Sequence, residues 1–469
     1  MKIGIIAEGC YPYVTGGVSS WIQQIVTNMP QHEFYIYAIS PSEEIQKNKY
    51  ELPSNIKKVT QIPLVQYEYP RKENKIKITA LEKELLKNWM RFKNINSEIY
   101  KLLNDTSKVG YTQDFLHSEI FYELVTQIYK EENRTEPFIE YFWTWKNIMS
   151  PLLQVIQTKI DDVDVLHAVS TGYGGVFAAN HSYLNQIPLI LSEHGIYSRE
   201  REEDILQFDW IPVIFKDIWI KFYHQLSLMS YHQSNQITSL FEENAQYQIE
   251  KGAESNKITI LPNGVNVEML SNIKRHQFNK DKIELGAIIR FVSIKDIKTM
   301  IYTCDQLRYL KVPFHLTLIG PTEENNEYYE ECLDLITSLQ LNNQITITGE
   351  ADIKDYLPKI DLLLLSSISE GQPLCILEGM AVGIPSVTTD VGSCVEIQSG
   401  TKDDNIGSSG FACNPVSPTQ KAEKIKYLYD NPEFLISMGD AGKERVRNHY
   451  NVKDMLKSIN DLYERAGVN

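Results

Sequence analysis

The chain of 469 residues, 42% hydrophobic and 23% charged, is long enough to bury two cores of doubly wound size. Its formal net charge of −15 excludes general affinity for nucleic acid, which needs a basic footprint, so an anionic ligand has to be met by a few local cations. A membrane-spanning helix is excluded too, because a run of about 18 apolar residues is missing and the greasiest stretch, 210–229, is broken by Lys216, Asp217, Lys221 and His224.

In chain order, KIGIIAEG (2–9) reads as a first strand without a small-residue cleavage site, which places the protein in the cytoplasm. The loop CYPYVTGG follows, then a helix whose Val18, Trp21, Ile22, Ile25, Val26 and Met29 keep a helical period. Gly16 and Gly17 fall on the sheet edge that faces ligands. They do not form a G-x-G-x-x-G fingerprint, so a tight turn and a close ligand approach both remain open. Strands are expected at 34–39 and 58–64. From about 65 to 150 charged helical segments such as LEKELLKNWMRF replace the sheet pattern and form an inserted subdomain. Its aromatic end, FIEYFWTW (138–145), is expected to be the insertion's own core; a platform for a sugar polymer or a partner protein is the alternative. The α/β alternation resumes with strands in 164–170, 188–195, 236–241 and 257–264, and a polar linker at 266–280 ends a first domain near 270. Asp162 and Asp164, in an Asp-x-Asp pattern at the start of a strand, read as a cap and not as a metal site.

The second domain, 271–450, offers five strand-like runs: LGAIIRF, HLTLIGP, QITITGE, DLLLLSS and PSVTTD. Three helices close the chain, and the last, 451–469, is expected to complete the first domain. The fold class that follows is α/β, with two doubly wound, mainly parallel sheets facing a central cleft. Six scattered cysteines lack the spacing of a zinc site, so reduced structural thiols are expected. Cys375 is expected to pack.

Chemistry concentrates in SEGQPLCILEGMA (369–381). A strand, a glycine-bearing loop and a helix N-terminus in that order suit an anion, with free amides and the helix dipole directed at one point. Pro373 suits the first turn, where its missing amide is not needed. Glu370 and Glu378 are too far apart for the acid and base of a glycoside hydrolase: such pairs stand about 5 to 9.5 Å apart, whereas eight helical residues rise about 12 Å. Two ends of one elongated ligand, or one loop carboxylate and one helix-surface carboxylate, are the readings left. In RFVSIKD, Arg290 and Lys295 follow the second domain's first strand, where Arg can pair with phosphate bidentately and Lys can act as a point charge, or both can be solvated surface residues. Of the two histidines at strand ends, His167 reads as packing and His194 as a ligand contact.

These residues carry a resemblance. The Glu-x7-Glu stretch SEGQPLCILEGMAVGIPSVTTDVGS, R-x4-K in AIIRFVSIKD, LPNGVN, and the glycine pair in YVTGGVSSW resemble the family-4 retaining glycosyltransferases of GT-B fold, with two Rossmann-like domains. Three narrower pieces, EGCYPYVTGGVSSW, LHAVSTGYGG and SEHGIYSREREEDI, resemble the PelF type of Pel exopolysaccharide synthesis.

The resemblance implies a UDP-sugar donor with its diphosphate on Arg290 and Lys295, its ribose on Glu378 and its base near Gly349 to Ile353. Glu370 and the amides around Gln372, Pro373 and Leu374 would face the donor sugar. His194 would contact that sugar, and Gly16 and Gly17 would let backbone approach the phosphate. Gln372 and Gly379 depart from the family pattern, which commonly has an apolar residue and alanine there. A hexose or N-acetylhexosamine would pass to a growing polysaccharide without metal or other cofactor, beside membrane synthase or export partners at the inner face of the membrane. Two rival readings are a nucleotide-sugar epimerase of the same architecture and a non-catalytic, nucleotide-responsive subunit.

Overall fold

Contacts divide the chain into two units, Met1–Ile260 with Ser458–Asn469, and Leu261–Lys457. The structure, a computed structural model, describes residues 1–44, 46–65, 76–93, 95–401 and 404–467. Positions 66–75 and 94 of the expected insertion, and 468–469 of the expected final helix, lie outside the described residues.

Among the described residues the first unit carries seven strands: β1 (Lys2–Glu8), β2 (Glu33–Ser42), β3 (Ile56–Val65), β4 (Val165–Ala168), β5 (Leu189–Glu193), β6 (Gln236–Ser239) and β7 (Ile258–Ile260). They run parallel in the order β3-β2-β1-β4-β5-β6-β7, with Ile5 opposite Ile36 on one side and His167 on the other. β4 and β5 are buried throughout, as a parallel sheet covered on both faces requires. The order reverses between β1 and β4, a switch point that opens a crevice at the strands' carboxyl ends. The helix Gly17–Asn28 turns Trp21, Ile22, Ile25 and Val26 onto the sheet, following the period read from the sequence.

Between β3 and β4 the insertion contributes helices Ala80–Met90, Glu98–Asn104, Thr112–Leu116, Glu119–Glu131 and Phe138–Ile156. Thr79 and Glu82 form a capping box that starts the first of them. Of the aromatic set, Tyr141 and Trp145 are buried in a core continuous with the sheet, and Phe138 and Phe142 pack against it. Only Ile139 and Trp143 are exposed large hydrophobics. Trp145→Ala should therefore cost about 3–5 kcal/mol in a denaturant titration, while Trp143→Ala should stay within about 0.5 kcal/mol. Equal losses would contradict the assignment of this set to the core.

The second unit has six parallel strands: β8 (Ile283–Ile288), β9 (Phe314–Ile319), β10 (Ile345–Ile347), β11 (Leu362–Leu364), β12 (Ser386–Thr389) and β13 (Gly410–Cys413), in the order β10-β9-β8-β11-β12-β13. Five were expected. β13 follows the glycine- and serine-rich GSSG and is too short to display a period. The dividing point at Ile260 precedes the expected 270 because Val265, Val267 and Leu270 are buried with Leu377 and Met380 in the second unit. Val265 also bridges to Asn451, and buried Val267 and Leu270 make the start of the expected linker core. The helix Val452–Gly467 carries the chain back: Tyr463 hydroxyl meets His167 Nδ1 at 2.7 Å, and Asn460 Oδ1 meets His32 at 2.8 Å, both within the first unit.

Candidate active site

The second sheet reverses order between β8 and β11, which brings the loops after these two strands to one crevice. Ser293–Lys295 make a 3-10 turn, and Asp296, at φ 43°, caps the helix Ile297–Tyr309 through the Thr299 amide. Two contacts tie this turn to the loop after β11. Ser366 Oγ donates to the carbonyls of Lys295 (3.0 Å) and Asp296 (2.8 Å), and the Ile368 amide donates to Ile294 carbonyl at 2.8 Å. So fixed, Lys295 Nζ stands 2.6 Å from Glu370 Oε1, with side-chain exposures of 18% and 10%. Ser367 Oγ donates to the same carboxylate oxygen at 2.5 Å.

The rest of that loop is clamped by its neighbours. Thr389 Oγ1 donates to Ser367 carbonyl at 2.7 Å, and the amide and hydroxyl of Ser393 donate to Gly371 carbonyl at 3.0 and 3.1 Å. Gly392 sits at φ 54°, where a Cβ would fall 2.1 Å from Glu370 carbonyl oxygen; the close approach demands glycine. The helix that follows is Leu374–Val382, with Pro373 as its N-cap in extended conformation and not within its first turn. Only the step from Leu374 to Glu378 is therefore helical, a rise of about 6 Å, so the eight helical residues behind the expected 12 Å are not present. The amides of Leu374 and Cys375 precede the first intrahelical acceptor and are open to an anion.

Glu378 makes no hydrogen bond or ion pair among the described residues, and burial alone pushes its carboxyl up to about 7. Gln372 is buried and its Oε1 accepts from the Asn263 amide at 2.6 Å, so this side chain holds the LPNG loop against the site. Its Nε2 and the Asn263 Oδ1 are buried without partners. Arg290 stands apart from Lys295: its guanidinium pairs with Glu324 at 2.8 Å, both half exposed, a contact that holds it only weakly. Gly349, at φ 70° with nothing within 4 Å of a built Cβ, follows β10, and Ile353 packs against the cluster that includes Leu377. Burial pushes the Cys375 thiol up to about 12, in keeping with a packing role.

In the first unit Gly16 is the N-cap of Gly17–Asn28 at φ 163°, an extended conformation, and a Cβ there would meet open space. Gly16 thus makes no tight turn and leaves space beside its backbone, while its amide donates to the Tyr50 hydroxyl at 3.4 Å. His194 follows β5. Its ring lies edge-on to Trp21 at 4.5 Å, burial lowers its pKa to about 4, and Nε2 is buried with no partner. It is a neutral imidazole with an unused nitrogen. His167 is saturated by Tyr463 and Ser192 and belongs to the core. Asp162 pairs with Lys2 Nζ at 2.9 Å and Asp164 accepts the Lys2 amide at 2.8 Å, which ties the two strand starts.

Several supporting groups escape a reading of the sequence. Lys421 is buried, donates to Leu365 carbonyl at 3.1 Å behind the Ser366 clamp, and is lowered to about 8 by burial. Glu8 and Glu193, at the ends of β1 and β5, are carboxylates raised by burial and met by several donors each. The serines and threonine of the clamp were visible only as SS, TTD and VGS beside the motif, residue types too common to single out.

Comparison with known proteins places these features. A family model described as "Domain of unknown function (DUF3492)" matches residues 1–256, and one described as "Glycosyl transferases group 1" matches residues 269–445. The chain thus belongs to the family these models define, DUF3492 over its N-terminal half and glycosyl transferases group 1 over residues 269–445, and its fold is GT-B. Among individual proteins it is 24% identical to the N-acetyl-alpha-D-glucosaminyl L-malate synthase of Bacillus anthracis over 40% of this chain and 47% of that one. It is also 24% identical to a Campylobacter jejuni N,N'-diacetylbacillosaminyl-diphospho-undecaprenol alpha-1,3-N-acetylgalactosaminyltransferase, over 52% of this chain and 64% of the relative. The chain thus spans about half to two thirds of the length of these curated relatives. Anabaena HepE, solved in complex with UDP and glucose, matches over 99% of both chains with a TM-score of 0.63 at 14% identity, a likeness of fold. Among the described residues no helix is long and apolar enough to cross a membrane.

Proposed function

We propose that the protein is a retaining glycosyltransferase that moves a hexose or N-acetylhexosamine from a UDP-sugar to a growing exopolysaccharide. The observation that carries this reading is the meeting of Lys295 and Glu370 beside the open amides of the helix Leu374–Val382, with unpartnered Glu378 further along that helix. One cation and two first-turn amides suit a diphosphate, Glu370 suits the hydroxyls of the donor sugar, and Glu378 suits the ribose. Arg290 would leave Glu324 to join the phosphates, and Gly349 and Ile353 would border the base. His194 offers its free nitrogen to a sugar hydroxyl, and the open space beside Gly16 would let a ligand oxygen approach the backbone of Gly16 and Gly17.

In the reaction, the bond between the anomeric carbon and the β-phosphate oxygen breaks, and the acceptor hydroxyl forms a new bond to that carbon on the same face. The acceptor proton passes to the departing diphosphate oxygen. Negative charge grows on the diphosphate as it leaves, and preorganised Lys295 and helix amides, joined by Arg290 once it leaves Glu324, stabilise it there in the place of a metal. Closure around the substrates would exclude water. The PelF-type motifs support a Pel-like polymer as product and a cytoplasmic site of action, with membrane synthase or export partners.

The test is a thermal-shift panel of UDP, ADP and GDP followed by UDP-sugars. UDP at about 100 times its Kd should stabilise the fold by about 2.7 kcal/mol. Indifference to every nucleotide would overturn the proposal. Glu378 adds a pH signature. Its carboxylate accepts ribose hydroxyls better than its neutral form does, so UDP affinity should rise as pH rises through about 7, with proton release on binding, and Glu378→Gln should flatten the profile. Stability of the free protein runs the other way: a carboxyl raised from 4.5 to about 7 on folding contributes stability that is present below 4.5 and lost as pH rises through 7. Calorimetry of UDP binding between pH 5.5 and 8.5 reads the first effect; a flat wild-type profile would contradict the ribose assignment.

A further inference from the structure

On the helix Pro418–Asp430 a lysine stands where the period calls for an apolar residue. Its buried face is Lys421, Ala422, Ile425 and Leu428, and Lys421 is 1% exposed. Lys424 and Lys426 of the same helix stay partly open to water, as is usual for this residue. Of the three donors on Lys421 one meets an acceptor among the described residues, the Leu365 carbonyl at 3.1 Å, and the side chain makes no ion pair there. Cys394, Cys413 and Asp296 are the titratable groups that act on its charge. Burial raises the pKa of both thiols and keeps them neutral. Asp296 turns Oδ1 to the Thr299 amide at 3.2 Å, and its Oδ2 is buried without a partner.

What the ammonium faces is the frame of the donor site. Leu365 leads into Ser366, whose hydroxyl holds the Lys295 and Asp296 carbonyls at 3.0 and 2.8 Å. Ser367 comes next, with its carbonyl on Thr389 Oγ1 and its hydroxyl on Glu370. Lys295 and Lys421 thus meet the same short run of backbone, one through Ser366 and the other through Leu365. A buried charge without a contacting counter-ion lowers stability, and an apolar side chain in its place is commonly neutral or stabilising. Packing alone would favour leucine or methionine at this position, and the anion that would offset the charge is one that arrives at the crevice.

Resting on the donor reading above, we infer that Lys421 is a positioning residue for the donor's diphosphate, which holds the Leu365 carbonyl and with it the loop to Glu370, and whose positive field favours the phosphate oxygens without touching them. Being buried, that field is screened far less by salt than the field of a surface lysine. Lys295 and the helix amides remain the groups in contact with the phosphates.

The test is calorimetry of UDP binding to the whole protein near neutral pH and near pH 8.5, in buffers of different ionisation enthalpy, with thermal melts of the same samples. Burial lowers the Lys421 ammonium from its ordinary 10.5 to about 8, and a diphosphate favours the charged form. Wild type should therefore take up protons with UDP near pH 8.5, where Glu378 is already ionised, and its affinity should fall as pH rises beyond about 8. Lys421→Met should bind UDP about three- to tenfold more weakly near neutral pH and take up no such protons. Lys421→Arg, which keeps a charge that it cannot release, should stay within about threefold of wild type and lose the fall beyond pH 8. Melting should move the other way. A lysine whose pKa is lowered on folding costs stability that is fully withheld below about 8 and regained as pH rises to 10.5, so Lys421→Met should melt no lower than wild type near neutral pH. A lower melting temperature for Lys421→Met with UDP affinity and proton uptake unchanged would make Lys421 a structural support and overturn the inference. So would wild type that binds UDP near pH 8.5 without taking up protons, a result that needs no variant. Wild type that binds no UDP at all would strike the donor assignment and this inference with it, so the two failures are distinct.

Discussion

Lys295→Ala should lower the rate of transfer about 10²–10³-fold, the usual cost of removing one preorganised group that meets charge developing in the transition state. UDP binding should weaken at least about tenfold, because a charge-assisted contact to the diphosphate is lost as well. The geometry gives the reason: the Ser366 hydroxyl and the Ile368 amide fix the backbone that carries the ammonium, which among the described residues makes one ion pair, to Glu370. Lys295→Arg should recover only part of the loss, since a planar fork does not reproduce a point charge at the same place. Single-turnover kinetics with UDP titration separates the two effects, and normal turnover in Lys295→Ala would remove the diphosphate from this position.

Glu370→Gln should behave oppositely on the two readouts. The carboxylate neutralises Lys295 at 2.6 Å in the free protein and would stand beside the donor's phosphates in the complex. Replacing it by an amide keeps a group that Ser367 can hydrogen-bond and removes a like charge, so UDP should bind equally well or up to about tenfold tighter. Transfer should still fall about 10²-fold, because the charged acceptor for the sugar hydroxyls is gone and the ammonium loses the partner that orients it. Weakened UDP binding together with slow transfer would mark Glu370 as a structural support of the phosphate site.

What the sequence disclosed followed from period and spacing. Apolar runs at fixed intervals revealed most strands, the helix after Gly16 showed its inward face, and Glu-x7-Glu after an apolar run pointed to the crevice between β8 and β11. Adjacency in three dimensions was less accessible. That Lys295 touches Glu370 could be inferred from neighbouring strand ends, but that Arg290 turns to Glu324 depends on how the loop after β9 folds. Pro373 moved from first turn to cap, and a helical rise no longer measures the separation of the glutamates, because the loop Ser369–Gln372 is shaped by Gly392 and Ser393 after β12.

The most direct test is product analysis by NMR after incubation with UDP-sugars and glycan acceptors. The account predicts free UDP in amounts equal to new glycosidic bonds, with the donor's anomeric configuration preserved. An isomerised UDP-sugar, an inverted linkage, or stabilisation by UDP with no turnover in the presence of partners would contradict it.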